Sequence, residues 1–361
     1  MSSPTNDNAD PPTSWDSPPS QSYPTRIAYA VGVTSCNKPQ LVMDGAAVLQ
    51  HSIYRNSIRN PESGSRYDYD MIAFVHTEAI SCIQILKNLR YKIFIKEAPI
   101  QIDQIRGNYR KSANRTGCCG EKEWLKLYAY TLTQYPVVVH LDLDCLILKP
   151  MDDLFDAMIV PTMENYDVWR PARQRIPAMW LSSEKLLTRQ IDAFFTRDYG
   201  MLPIPGHQKP HQVGVQGGFL VIRPNRTDFK QYIELILEGN YTEANGWGGN
   251  LKYGGYYGAG TIQGLAAMFY SHLHPNRAVE LNRCLYNNMV DVPYPKKYDT
   301  KEFSHRKPYP CMTLQKVCED CRETNIDDIV SIHLTNSRKP WHCHPLSKMP
   351  LLCVQHWHKW Y

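Results

Sequence analysis

Two aspartates one residue apart, Asp142 and Asp144, stand inside the apolar run Val-Val-Val-His-Leu-Asp-Leu-Asp-Cys-Leu-Ile-Leu at residues 137–148. Side chains alternate across a strand, so positions i and i+2 share a face. A run without polar alternation predicts a strand buried on both sides, and open α/β sheets bind ligands at the carboxyl ends of such strands. Two carboxylates on one face repel each other unless a cation lies between them. Hard oxygen donors suit Mg²⁺ or Mn²⁺, which in turn hold phosphate oxygens. The chemistry indicated is capture of a metal-bound diphosphate. A plainer reading has one aspartate capping the next element and the other pairing with a lysine, as short motifs often do.

The flanking elements separate these readings. Upstream, Glu121 to Tyr135 places Trp124, Leu127, Tyr128 and Leu132 at helical spacing, with Pro136 as the stop. An amphipathic helix feeding a buried strand is half of an α/β unit. The apolar part of the chain opens with Ile27 to Val33 and a turn holding Thr34, Ser35 and Asn37. Those side chains can hydrogen-bond a base or ribose, or simply make the turn. Further on, Gly214 to Pro224 reads as a strand, and the apolar stretch from Ile329 carries His333, either a core histidine or a metal ligand.

Together, Lys126-Leu127-x-x-Tyr130-x-Leu132-Thr133-Gln134-Tyr135, Val138-x-x-Leu141-Asp142-x-Asp144-Cys145-Leu146-x-Leu148-Lys149 and Leu154-Phe155 resemble glycosyltransferase family 8, the glycogenin-like enzymes. Ile27 to Asn37, Gly214 to Pro224, and Ile332-His333-Leu334-Thr335-Asn336-Ser337-Arg338-Lys339-Pro340-Trp341 extend the resemblance in the same order, so that it spans residues 26–341. It implies an α/β fold of the GT-A type: a Rossmann-like nucleotide-diphospho-sugar transferase with a single mixed central sheet flanked by helices. Residues 26–361 would form one catalytic domain behind a disordered segment, 1–25. The implied activity is Mn²⁺-dependent transfer of a hexose, glucose or galactose, from a UDP-sugar to a glycan or glycoprotein with retention. Asp142, Asp144 and His333 would be the metal ligands. Thr34, Ser35, Asn37, Lys126, Leu143 and Lys339 would contact the donor, with Lys339 reaching its diphosphate, and Gln216 and Gln263 would face the sugar.

One departure falls at the catalytic end. The family's Asp-Gln-Gly corresponds here to Ile262-Gln263-Gly264, and its Asn-Ser to Gln216-Gly217. Loss of that aspartate keeps open a protein that binds sugar nucleotide with little transfer. Glycogenin-like self-glucosylation is the other alternative, with Tyr294 and Tyr298 the nearest tyrosines but neither aligned with the family acceptor. A metal-dependent phosphoesterase also uses paired aspartates, but the Lys126 and Lys-Pro-Trp segments disfavour it.

Composition fits one enzyme-sized unit of 361 residues, 43% hydrophobic and 21% charged. A net charge of +5 without dense basic runs disfavours nucleic acid. Residues 1–25 are polar and Pro-rich, which predicts disorder. Aromatic residues Trp247, Tyr253, Tyr256 and Tyr257 sit in a Gly/Tyr-rich segment and serve either sugar stacking or loop packing. No membrane segment or signal peptide is visible, which read literally means a cytoplasmic enzyme. Eleven cysteines, with Cys311, Cys318, Cys321 and Cys343 clustered late, and sequons at Asn114, Asn225 and Asn240 fit a Golgi lumen if a signal anchor is missing. Disulfides, a zinc site helped by His342 or His344, and reduced thiols remain alternatives for that cluster. Monomer and homodimer are equally open.

Overall fold

In the computed structural model, the described residues are 24–115, 119–159, 165–202, 208–293 and 311–335. The segment expected to be disordered therefore lies outside them except for its last two residues. Lys339, Tyr294, Tyr298, Cys343 and the histidines beside it also lie outside.

The main sheet is mixed and seven-stranded. In chain order its strands are β1 (Arg26–Val33), β2 (Asp68–Val75), β3 (Lys92–Ile95), β4 (Val138–Leu141), β6 (Ala193–Arg197), β7 (Val215–Ile222) and β10 (Ala278–Glu280). They lie side by side as β10-β6-β7-β4-β1-β2-β3, and β7 alone runs against its neighbours. Two ribbons complete the strands: β5 (Cys145–Ile147) with β11 (Ser331–His333), and β8 (Tyr241–Thr242) with β9 (Gly246–Trp247). Helices flank the sheet: α1 (Pro39–Arg55), α2 (Ile83–Asn88), α3 (Asp152–Met158), α4 (Tyr166–Arg175), α5 (Ser183–Leu187), α6 (Arg226–Glu238) and α7 (Ile262–Met268). This is the α/β architecture expected, with a single mixed central sheet.

The strands read as unbroken apolar runs because both faces are covered. Tyr29, Val31, Val139 and Leu141 pack into one buried cluster, whereas Ala28, Ala30 and Val138 pack into the other. Trp124, Leu125, Leu127 and Tyr130 join the second cluster. The predicted helix carrying them is present but shorter and tighter than expected. It runs Gly120–Thr131 as a 3₁₀ helix, which places residues three apart on one face.

The predicted strand 137–148 needs a larger correction, because it is two strands in two sheets. β4 stops at Leu141, Asp142-Leu143-Asp144 makes a turn closed by the Cys145 N–H donating to the Asp142 carbonyl at 3.2 Å, and β5 leaves to pair with β11. The apolar pattern hid this break because the residues on either side of it are equally buried. Helix α1 holds the turn from behind. A Cβ on Gly45 would stand 2.9 Å from the Leu143 carbonyl oxygen, so the helix approaches as closely as glycine allows. At the other end of α1, Asn56 Nδ2 donates to the Ile147 carbonyl at 2.9 Å, and the Ile147 N–H donates to Ser52 Oγ at 3.2 Å.

Candidate functional site

Because β11 pairs antiparallel with β5, His333 lies opposite Cys145, and the Leu334 N–H donates to the Asp144 carbonyl at 2.9 Å. That pairing delivers the imidazole to the carboxylates. His333 Nε2 is 3.3 Å from Asp144 Oδ1 and 3.9 Å from Asp142 Oδ2. Asp144 and His333 are buried, while Asp142 keeps 33% of its side chain exposed. Gly218 of β7 leaves the space in which they meet. A Cβ there would stand 2.8 Å from Asp142 Oδ2 and 3.0 Å from His333 Nδ1. Two carboxylates and an imidazole closing over a glycine fit a small divalent cation of the Mn²⁺ kind. Among the described residues, the ligand atoms that all lie within 4.8 Å of one another are those of Asp144, Cys145 and His333, with Asp142 reaching the group through His333 at 3.9 Å; the Cys145 thiol donates to the Gly218 carbonyl at 3.3 Å.

Lys126 stands on the other side of Asp142. Its ammonium is 2.9 Å from Asp142 Oδ1 and 3.0 Å from Glu123 Oε2, and it donates to the Gly217 carbonyl at 3.2 Å. Burial disfavours that charge, yet Asp142 and Glu123 outweigh burial and hold the lysine above its ordinary pKa. Burial likewise opposes ionisation of Asp142, but Lys126 and His333 prevail over it and over Asp144, and keep Asp142 below the usual carboxylate range. Behind them His140 is neutral: burial first, then Lys126, depresses its pKa to about 3.

Glu123, Lys126, Asp142 and His333 line a cavity of about 270 Å³ together with Asp198, Gln216, Gln263 and Tyr257. Asp198 follows the end of β6 and was not singled out by sequence reasoning, since Arg-Asp-Tyr has no motif character. Position supplies the signal: β6 runs parallel to β4, so both end at the same edge of the sheet. Gln216 hydrogen-bonds Asp198 and also accepts from the Gly218 N–H at 2.5 Å, while Gln263 Nε2 is 3.5 Å from Asp198 Oδ2. Burial and the nearby Asp291 raise the Asp198 carboxyl to about 7 despite His333 and these amides. Ile262 is buried, and a Cβ on Gly217 would meet its Cγ2 at 2.7 Å, so position 262 packs on the sheet. A carboxylate at 198 stands beside Gln263.

The remaining sequence candidates divide. Leu143 is half-buried in the turn between the two aspartates. Thr34, Ser35 and Asn37 stand on the loop after β1 and do not line this cavity. Of the four aromatics, Trp247 and Tyr253 are buried, Tyr256 donates its hydroxyl to the Gln212 carbonyl at 3.3 Å, and Tyr257 is 61% exposed at the cavity. Cysteine pairing is decided for several residues: Cys36–Cys82, Cys284–Cys321 and Cys311–Cys318 are disulfides. The late cluster therefore spends three of its members on disulfides rather than on zinc. Among the described residues no helix is long and apolar enough to cross a membrane.

No family model matches the chain, and no curated protein matches it in sequence. Solved structures do match. Mouse xyloside xylosyltransferase 1 in its apo form shares 12% identity at a TM-score of 0.46, over 88% of this chain and 99% of that one. GlyE of Streptococcus pneumoniae TIGR4 shares 11% at 0.45, over 93% of this chain and 60% of that one. The galactosyltransferase LgtC in complex with donor and acceptor sugar analogs shares 9% at 0.43, over 93% and 95%. All three are glycosyltransferases. Likeness of this order assigns no reaction, substrate or metal to this chain.

Proposed function

We propose that the chain is a glycosyltransferase of the family 8, glycogenin-like kind, moving a hexose, glucose or galactose, from a UDP-sugar to a glycan or glycoprotein acceptor with retention and with Mn²⁺. The observation that carries this reading is that Asp142 and His333 share one cavity with Gln216, Gln263 and Asp198, with Asp144 buried behind at 3.3 Å from His333 Nε2. The three former side chains would hold the ion. When bound, it supplies Lewis-acid stabilisation of the charge that develops on the leaving diphosphate. Lys126 adds a fixed positive charge beside Asp142, and Lys339 would reach the diphosphate.

Asp198, braced by both glutamines, is placed to bind a donor-sugar hydroxyl. Thr34, Ser35 and Asn37 would meet the base or ribose. No carboxylate nucleophile is required if the acceptor hydroxyl attacks from the side the leaving group departs and passes its proton to the departing phosphate. Tyr257 offers an exposed ring on which an acceptor sugar can stack. The disulfides support folding in an oxidising compartment such as the Golgi lumen.

The rival reading, donor binding without transfer, draws its motive from Ile262; Asp198 beside Gln263 supports transfer instead. The test is a panel of UDP-sugars with Mn²⁺, following free UDP with and without saccharide acceptors. Release from UDP-glucose or UDP-galactose that stops on chelation is expected. Donor binding with no release under any acceptor would establish the rival. Intact-mass measurement in the same reactions separates transfer to a glycan from hexose addition at Tyr294 or Tyr298.

A further inference from the structure

A second cavity, of about 500 Å³, opens beside the edge strand β10. Arg197 of β6 and Glu280 of β10 line it, and the polar network around them is closed. Arg197 Nε is 2.9 Å from Glu280 Oε2, Trp180 Nε1 donates to the same oxygen at 2.9 Å, and the Tyr199 hydroxyl donates to Oε1 at 2.7 Å. Both oxygens of the one lining carboxylate are thus engaged. Trp180 is held by its indole N–H yet remains 44% exposed.

Arg189 lines the same cavity. One of its terminal nitrogens donates to the Pro275 carbonyl. Its Nε is buried without a hydrogen-bond partner, and no carboxylate pairs with its guanidinium among the described residues. Burial lowers the Arg189 pKa, but a guanidinium stays charged at neutral pH. His211, also on the wall, is pushed down by burial and by Arg197, and adds no charge near pH 7. Two guanidinium groups therefore face one carboxylate, which Arg197 already neutralises. A half-buried guanidinium without a paired carboxylate, on a wall whose one carboxylate is already engaged, favours an anionic ligand, and an arginine matches a carboxylate. An aromatic face fixed at the rim suits the apolar face of a pyranose.

We propose that this cavity is a binding site for a pyranose bearing a carboxylate, separate from the donor cavity. No described residue lines both cavities, and one hydrogen bond links their surroundings. His211 belongs to the short helix Pro210–Gln212, whose Gln212 carbonyl accepts from Tyr256, the neighbour of Tyr257. Resting on the sugar-transfer reading, the bound unit would be a remote acidic residue of the acceptor glycan.

The test titrates the full chain with methyl β-D-glucuronide and, in parallel, methyl β-D-glucoside at low salt, by ligand-observed NMR. The glucuronide is expected to bind about tenfold or more tighter than the glucoside, and Arg189→Gln and Trp180→Ala should each weaken it about tenfold. Asp144→Asn should leave it unchanged. Equal affinity for the two glycosides overturns the proposal, as does glucuronide binding that survives both substitutions. Loss of binding in Asp144→Asn also overturns it, by placing the sugar in the donor cavity. Donor turnover is not part of this measurement, so failure of the transferase reading and failure of this site are told apart.

Discussion

Replacing Gly218 by alanine tests the proposed metal centre at the atom that leaves room for it. The new Cβ would collide most closely with His333 Cε1 and would stand 2.8 Å from Asp142 Oδ2 and 3.0 Å from His333 Nδ1, well inside van der Waals contact. The histidine cannot retreat with its backbone. Its N–H donates to the Asn288 carbonyl at 3.0 Å, and the next residue is tied to Asp144 at 2.9 Å. Strain therefore falls on the side chains, and the half-open Asp142 is the freer to rotate. Overpacking of this kind costs about 1–3 kcal/mol of stability. A displaced ligand or ligand-orienting contact costs about 10–100-fold in metal affinity. Calorimetric titration with Mn²⁺ should show that loss, and thermal melting of the metal-free protein should show the smaller stability cost. An alanine variant that binds Mn²⁺ as tightly as the parent would refute the assignment of all three ligands.

Asp144→Asn should lower UDP release about a hundredfold or more with little change in melting temperature; a variant that melts well below the parent yet turns over normally while folded would make Asp144 a structural residue. Asp198, raised to about 7 by burial and Asp291, keeps a proton in the folded state that the unfolded chain releases near its ordinary value. Its contribution to stability is therefore fully present below about pH 4 and is lost as pH rises through about 7. Denaturant unfolding of the metal-free parent and of Asp198→Asn across this range should show a falling difference, and parallel curves would refute the shift. Reductant should lower the melting temperature by opening the Cys284–Cys321 link, whose separation of 37 residues corresponds to roughly 3–4 kcal/mol of loop-closure entropy; an unchanged melt would show that the link is not formed.

Sequence reasoning singled out Asp142 and Asp144 because they sit in an apolar run where a charge needs a reason, and His333 through its family resemblance; the structure brings the histidine within 3.3 Å and 3.9 Å of the two carboxylates. The same reasoning placed β1 and β7 through the family resemblance of their segments, since the Ala, Tyr and Gly of one and the Gln and paired Gly of the other dilute a plain β-branched signal. The turn that splits residues 137–148 was not legible, because strand pairing rather than hydrophobicity decides where β4 ends, and Leu143 is as apolar as its neighbours. Asp198 was missed for a related reason. Its role depends on which strand edge it reaches, and nothing local to Arg-Asp-Tyr encodes the order of strands in the sheet. The disulfides were equally hidden, since pairing of Cys36 with Cys82 is a property of the folded loops and not of spacing.

The ribbon of β5 and β11 has a consequence for the order of synthesis. Six of the seven main strands, and both aspartates, emerge from the ribosome well before residue 280, and the last main strand ends there. His333 arrives only with β11. A nascent chain can thus complete its sheet while its cation pocket still lacks the imidazole, so full metal affinity and donor turnover should appear late, together with the pairing of a single three-residue strand. On the proposed metal assignment, a chain ending before β11 offers the ion two carboxylates without the imidazole, and a weaker Mn²⁺ titration is the expected sign of it.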